Sequence, residues 1–248
     1  MDRKFAILFA IIITLLIAIN SSFFSWRSEQ LSSESVKVSR VIDGDTLKLE
    51  DGRTIRLANI NTPEKGEPFS KEAKAFLSLY ENKTLSISLV EEDKYGRIVA
   101  NLFDNSRESL SLKLVKAGLA VSFLVLDEEA KDFAKAEAQA QEEQKGIWNR
   151  SQFFNCIGIE IDKYVEVVKL GVICSSLLGK SITIRDESRK SFIVKEIQSN
   201  ELVIYSTIGE SNSTDLFWGE KNIWNNDRDT AYVFDSEAKF ISSLKYGY

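Results

Sequence analysis

The sequence predicts a mainly β protein with helices, in which a small barrel is followed by an antiparallel sandwich. Three observations predict it. Residues 36–103 alternate apolar and polar positions in short runs separated by turn residues, with one helical period in their midst. Residues 110–146 carry two helical patterns in succession. From about residue 155 no helical period is sustained, and short β-branched runs alternate with turns. With 248 residues, 44% hydrophobic, 28% charged and only 2 prolines, the chain can build two modest cores and is not a disordered tail.

The first element is apolar. Met1-Asp2-Arg3-Lys4 precedes a run over residues 5–19 of roughly fifteen apolar positions, the length of a signal-peptide core. Continued to Trp26 it reaches about twenty-two residues, enough for a membrane anchor closed by an interfacial aromatic. No small-x-small cleavage site stands out, so residues 1–26 read as an anchor in preference to a removed signal. Either reading leaves Arg3 and Lys4 in the cytoplasm and exports the rest, to the cell surface or into the medium. Residues 27–35 are polar and serine-rich, a tether.

Residues 36–42, 46–49 and 54–60 read as three strands, with Asp51-Gly52 as a two-residue hairpin turn between the second and third. Phe69, Ala73, Phe76 and Tyr80 recur at helical spacing, with Ser70 as the expected cap. Residues 84–90 and 98–103 are two more strands. Leu110, Leu112, Leu114, Val115 and Leu119 make a second helix that stops near Gly118. Asp127 caps a third, which runs to Gly146 ahead of Ile147-Trp148. That order is a five-stranded Greek-key barrel with about three helices, an OB-fold, over residues 36–150. Over residues 151–248, the runs 157–161, 164–168, 181–184, 192–197, 202–205, 231–234 and 240–244 read as strands of the sandwich. Cys156 and Cys174 stand either as a disulfide, worth roughly 3 kcal/mol, or as two buried thiols. Asn-x-Ser/Thr triplets at Asn82, Asn149 and Asn212 accord with export.

Composition excludes some chemistry. The chain has no histidine, which removes Ser-His-Asp and Cys-His nucleophiles, histidine zinc sites and imidazole acid–base catalysis. A net charge of −5 argues against a protein that coats nucleic acid, but not against one that reads a single phosphate through a local basic cluster.

Three polar clusters carry the remaining chemistry: Ile42-Asp43-Gly44-Asp45-Thr46, then Arg56 followed by Asn61-Thr62-Pro63-Glu64, then Asp93-Lys94-Tyr95-Gly96-Arg97. Each lies at a turn between strand-like runs, so one fold can aim all three at one place. They offer a carboxylate and an amide oxygen for a hard cation, a second carboxylate, and two arginines. That set suits in-line attack of water on a phosphodiester. Such an enzyme lowers the barrier by something like 15–20 kcal/mol while one aimed donor supplies about 3–4, so several groups must converge.

Together with Ala117-Gly118-Leu119-Ala120, Glu137-Ala138-Gln139-Ala140 and Ile147-Trp148, these clusters resemble the thermonuclease (staphylococcal-nuclease-like) family over residues 36–150. The resemblance implies a Ca²⁺-dependent nuclease that cleaves DNA and RNA to 3′-phosphate ends. It implies Asp45, Asn61 and the Thr62 carbonyl as cation ligands, Glu64 to accept a proton from the attacking water or orient it, and Arg56 and Arg97 on the phosphate. Lys94 and Tyr95 would contact the terminal phosphate of the bound nucleotide. One departure stands out: the family usually has aspartate where this chain has Asn61, and an amide oxygen ligates calcium without bringing charge, so affinity is expected to fall. Asp43 and Gly44 are expected to serve the turn alone.

Thr214-Asp215-Leu216-Phe217-Trp218-Gly219, Ile223-Trp224-Asn225-Asn226-Asp227 and the run from Asp229 to Asp235 resemble the lamin-tail-like, Ig-type sandwich. That resemblance implies a non-catalytic module aiding binding or localisation, and no partner is legible. Two rivals to the nuclease stay open. One is a non-catalytic nucleic-acid-binding module at the cell surface, and the other an adhesion or scaffold protein. Retention of Arg56, Glu64 and Arg97 together favours the enzyme.

Overall fold

The computed structural model describes residues 34–125 and 127–247, in which Val36–Tyr248 is one compact unit. The expected anchor over residues 1–26, most of the tether and the Asp127 cap lie outside the described residues or side chains. Among the described residues no helix is long and apolar enough to cross a membrane.

The first half runs β1 (Glu34–Val41), β2 (Thr46–Leu49), β3 (Thr54–Leu57), β4 (Ile60–Asn61), α1 (Ser70–Ser78), β5 (Thr84–Glu92), β6 (Ile98–Phe103), α2 (Leu110–Lys116), β7 (Val121–Ser122) and α3 (Asp127–Glu142). Strands β1, β2, β3, β6 and β5 close a five-stranded barrel in that order, with β3 and β6 parallel. Its core holds Leu47, Ile55, Leu57, Leu102, Leu110 and Leu114, all fully buried. In β1, Val36, Val38 and Val41 are buried, although strict alternation would turn Val41 outward. A bulge between Val38 and Arg40 resets the phase.

Four local expectations need correction. The β2–β3 loop has three residues, not two, because Leu49 N donates to Arg53 O at 2.9 Å and encloses Glu50-Asp51-Gly52. Gly52, at φ 95°, supplies the left-handed residue such a loop requires. The third run breaks after β3, where Asn59 at φ 69° turns the chain and lets β4 pair with β7. Ser70 is the first helical residue of α1 and not its cap, since Phe69 holds the cap position and Ser70 Oγ donates to Glu67 O at 2.8 Å. Finally, α3 ends at Glu142: Gln144 adopts φ 54°, and Gly146–Trp148 forms a separate 3-10 turn.

The second half consists of β8 (Ile157–Asp162), β9 (Val167–Val172), β10 (Ile182–Arg185), β11 (Ser191–Val194), β12 (Glu201–Tyr205), β13 (Asp215–Phe217), β14 (Asp229–Asp235) and β15 (Phe240–Tyr246). They form two four-stranded sheets, ordered β11-β10-β14-β15 and β13-β12-β9-β8. The sandwich is not wholly antiparallel, because β13 pairs parallel to β12. The strand expected at 164–168 begins three residues later. Tyr164, 80% exposed, lies in the preceding turn, where Asp162 Oδ1 accepts its N–H at 3.1 Å. Cys156 and Cys174 are disulfide-bonded, with Cα atoms 5.1 Å apart. Trp218 and Trp224 pack edge to face in the sandwich core at 6.0 Å.

Every residue of β14 is buried, and the reason lies on its two faces. Ala231 and Val233 enter the sandwich core, while Tyr232 and Phe234 enter a separate cluster with Trp148, Val121, Ala140 and Phe240. That cluster joins the two halves. Beside it Glu137 of α3, nearly fully buried, accepts from Ser122 N at 2.9 Å, from Tyr232 Oη at 3.2 Å and from Lys245 Nζ at 3.1 Å. A buried carboxylate tolerates this position because its oxygens are paired and hydrogen-bonded.

Candidate active site

The turn between β1 and β2 presents Asp45. Ile42 N and Asp43 N both donate to Thr46 O, which sets the turn. Gly44 does more than turn chemistry: a Cβ there would lie 2.6 Å from Thr62 Oγ1 and 2.8 Å from the Ala73 Cβ. Only glycine lets the turn approach so closely. Across that contact Asp45 Oδ2 accepts from Thr62 N at 3.3 Å and from Thr62 Oγ1 at 3.2 Å. The chain leaving β4 is thereby tied to the turn leaving β1. Asp43 adds a second carboxyl whose pKa is raised by burial and then by the neighbouring Asp45 charge.

The β2–β3 register places Arg56 opposite Thr46. Its Nη2 donates to Ile60 O at 2.7 Å and to Asn61 Oδ1, and lies 3.5 Å from Asp45 Oδ2, while Nη1 donates to Leu57 O. Arg97, just before β6, pairs with Asp93 Oδ2 at 2.8 Å and reaches Thr46 Oγ1 at 3.5 Å. Thr46 in turn donates to Asp45 Oδ1 at 3.0 Å. Burial opposes ionisation of Asp93, but hydrogen bonds from the Arg97 backbone and guanidinium and from Tyr95 N outweigh it and lower its pKa. Lys94 and Tyr95 sit at the β5–β6 turn, with Tyr95 72% exposed. Lys94 Nζ and Arg97 Cζ lie 5.1 and 5.5 Å from that ring, within cation–π range.

Glu64 lies on the exposed loop after β4, its side chain 79% accessible. Its carboxylate meets Arg189, whose Nη1 donates to Glu64 Oε1 at 3.0 Å and also to Thr62 O, while Nη2 donates to Glu67 Oε2. Arg185 Nη2 donates to the other Glu67 oxygen at 2.9 Å. Both arginines flank the β10–β11 hairpin tip, in the second half of the chain. The tip is also held by Asn61, whose Nδ2 donates to Glu187 O at 2.8 Å. Asn61 therefore has a structural reason to be an amide, since aspartate has no N–H for that carbonyl.

Hydrogen bonds and one ion pair thus join Arg97 to Thr46, Thr46 to Asp45, Asp45 to both Arg56 and Thr62, Arg56 to Asn61, and Thr62 through Arg189 to Glu64. Arg56 and Arg97 come together through Asp45 and Thr46, whereas Glu64 meets Arg189 and reaches the others only by way of it and Thr62. Sequence reading passed over Thr46 as a linker, and Glu67, Arg185 and Arg189 altogether. The segment 186–190 is an ordinary polar turn by composition, and nothing local marks it as belonging to the site.

Among the described residues no three His, Cys, Asp or Glu side chains group as a metal site. The donors expected here are of another kind: the Asp45 carboxylate, the Asn61 amide oxygen and the Thr62 carbonyl. All are hard oxygens, the first two met by Arg56 and the third by Arg189, and their chemistry fits a hard divalent cation supplemented by water and phosphate.

The family profile described as Staphylococcal nuclease homologue matches residues 54–150. Endonuclease YhcR of Bacillus subtilis (strain 168) is 31% identical over 137 residues, which is 46% of this chain and 11% of that protein. The probable staphylococcal-like nuclease CAN1 of Oryza sativa subsp. japonica is 35% identical over 99 residues, 40% of this chain and 29% of that protein. The thermonuclease of Staphylococcus intermedius is 32% identical over 141 residues, 51% of this chain and 83% of that protein. The chain therefore spans less than a third of the first two relatives but most of the third.

Proposed function

Because the chain belongs to the staphylococcal nuclease family, we propose that it is an exported, calcium-dependent endonuclease hydrolysing DNA and RNA to 3′-phosphate ends. The observation that carries this reading is the network in which Arg97, through Thr46, meets Asp45, and Asp45 meets both Arg56 and Thr62, with Asn61 held by Arg56. Asp45, Asn61 and the Thr62 carbonyl are the residues that would hold the cation, which when bound neutralises charge on the phosphate.

The chain's own groups do the rest. Arg56 lies in β3 and Arg97 just ahead of β6, and their guanidinium forks suit a phosphate gaining charge at phosphorus. Glu64 carries a carboxylate that is 79% accessible. It takes a proton from the attacking water or orients it. Lys94 and Tyr95, exposed at their turn, meet the terminal phosphate of the nucleotide. On this reading residues 1–26 anchor the protein at the cell surface or are removed on secretion. Residues 151–248 are the lamin-tail-like module that localises it.

The test uses the full-length chain and Glu64→Gln on single- and double-stranded DNA and on RNA, with calcium, magnesium or chelator. Wild type is expected to cleave with calcium and stop with chelator, leaving ends that a polymerase extends only after phosphatase treatment. Glu64→Gln is expected to lose about 10²–10⁴ in rate while still binding nucleic acid. Cleavage indifferent to chelator or to Glu64→Gln would overturn the proposal.

A further inference from the structure

Arg189 occupies oxygens that the proposed chemistry needs for other partners. It sits at the hairpin tip with φ 78°, a left-handed conformation that favours glycine or asparagine. Its side chain crosses to the barrel and is only 13% exposed. There Nη1 donates to the Thr62 carbonyl, an expected cation ligand, and to Glu64, the expected proton acceptor. A guanidinium and a divalent cation repel each other, and beside Thr62, which is 3% exposed, water screens that repulsion poorly. Arg189 and the cation therefore weaken one another's hold on the Thr62 carbonyl.

We propose that Arg189 is a built-in competitor of the divalent cation. It satisfies Thr62 and Glu64 when the cation is absent and yields both when the cation binds. The inference rests on the calcium reading of the site, and it makes the sandwich half, not the barrel alone, set the calcium threshold.

Two features let the guanidinium yield without undocking the hairpin. Arg185 keeps its own pair with Glu67 at 2.9 Å, and Asn61 keeps its bond to Glu187 O at 2.8 Å. Beside the guanidinium lies a cavity of about 160 Å³, lined by Arg189 with Phe69, Tyr232, Asp186 and Asp235. It provides space for a displaced side chain.

The experiment is calorimetric calcium titration of the full-length chain and of Arg189→Gln and Arg189→Lys, each freed of metal beforehand. Arg189→Gln removes the charge and is expected to bind calcium about tenfold more tightly, a modest fraction of what one nearby charge is worth. Arg189→Lys keeps the charge and is expected to stay within about threefold of wild type. Equal or weaker binding by Arg189→Gln overturns the competitor while leaving the calcium reading intact. Calcium binding by neither protein at millimolar concentration overturns the calcium reading and the competitor with it. A second measurement needs no variant that tolerates loss of the charge. In wild type, the Arg189 guanidinium resonances, assigned by their loss in Arg189→Lys, are expected to shift and average as calcium saturates. Resonances unmoved by saturating calcium overturn the proposal.

Discussion

Asp186→Asn should change how stability depends on pH. Asp186 is 1% exposed at the base of the hairpin tip, where Lys190 N donates to Oδ1 at 2.6 Å and Ser188 Oγ to Oδ2 at 2.5 Å. Burial pushes its carboxyl from 3.8 up to about 6; the Ser188 hydrogen bond opposes the rise and the Asp229 charge adds to it. The folded-state pKa is raised, so between these two values the folded chain keeps a proton that the unfolded chain has released. The associated stability is fully present below about pH 4 and lost as pH rises through about 6. At 1.36 kcal/mol per unit, the shift corresponds to about 3 kcal/mol. Asparagine keeps an acceptor for Lys190 N and offers Ser188 Oγ a donor, but carries no charge. Urea unfolding of both full-length proteins, followed by tryptophan fluorescence from pH 4 to 8, is the assay. The two should match near pH 4, and Asp186→Asn should be the more stable by up to about 3 kcal/mol at pH 7.5. Parallel curves across that window would refute the reasoning.

Asn61→Asp adds a charge to the cation site but places a carboxylate oxygen against Glu187 O. Calcium affinity should rise while calcium-free stability falls by about 1–3 kcal/mol, and unchanged half-saturating calcium would remove Asn61 from the ligand set. Trp148→Ala opens the seam between the halves, where the indole lies 5.5 Å from the Tyr232 ring and 5.2 Å from the Phe240 ring. Thermal or urea melts should show a loss of about 3–5 kcal/mol, and a loss under about 1 would mean the seam repacks.

The barrel was legible because its strands alternate, its turns are marked by Asp-Gly pairs, and its helices keep their period. Its breaks were not legible. The β1 bulge and the left-handed Asn59 and Gln144 answer to packing that no local pattern records. In the sandwich, Ala231-Tyr232-Val233-Phe234 reads as a plain apolar run because each residue faces one of two different cores. The three clusters of the site were legible because their residue types and order are unusual together. Arg189 was not, since its contacts reach across more than a hundred residues and its own neighbourhood reads as solvent-facing turn. Asn61 was read through its oxygen alone, and the bond made by its nitrogen gives a second cause for the amide.

Glu137 has a practical consequence for anyone isolating the barrel. A fragment ending near Arg150 would keep that carboxylate while discarding the phenol and the ammonium group that meet it. The same cut would strip the aromatic cover from Trp148, turning the fragment's newly made outer wall greasy and sticky. Poor behaviour of such a fragment in solution would then reflect the surgery, and would be no measure of catalytic competence.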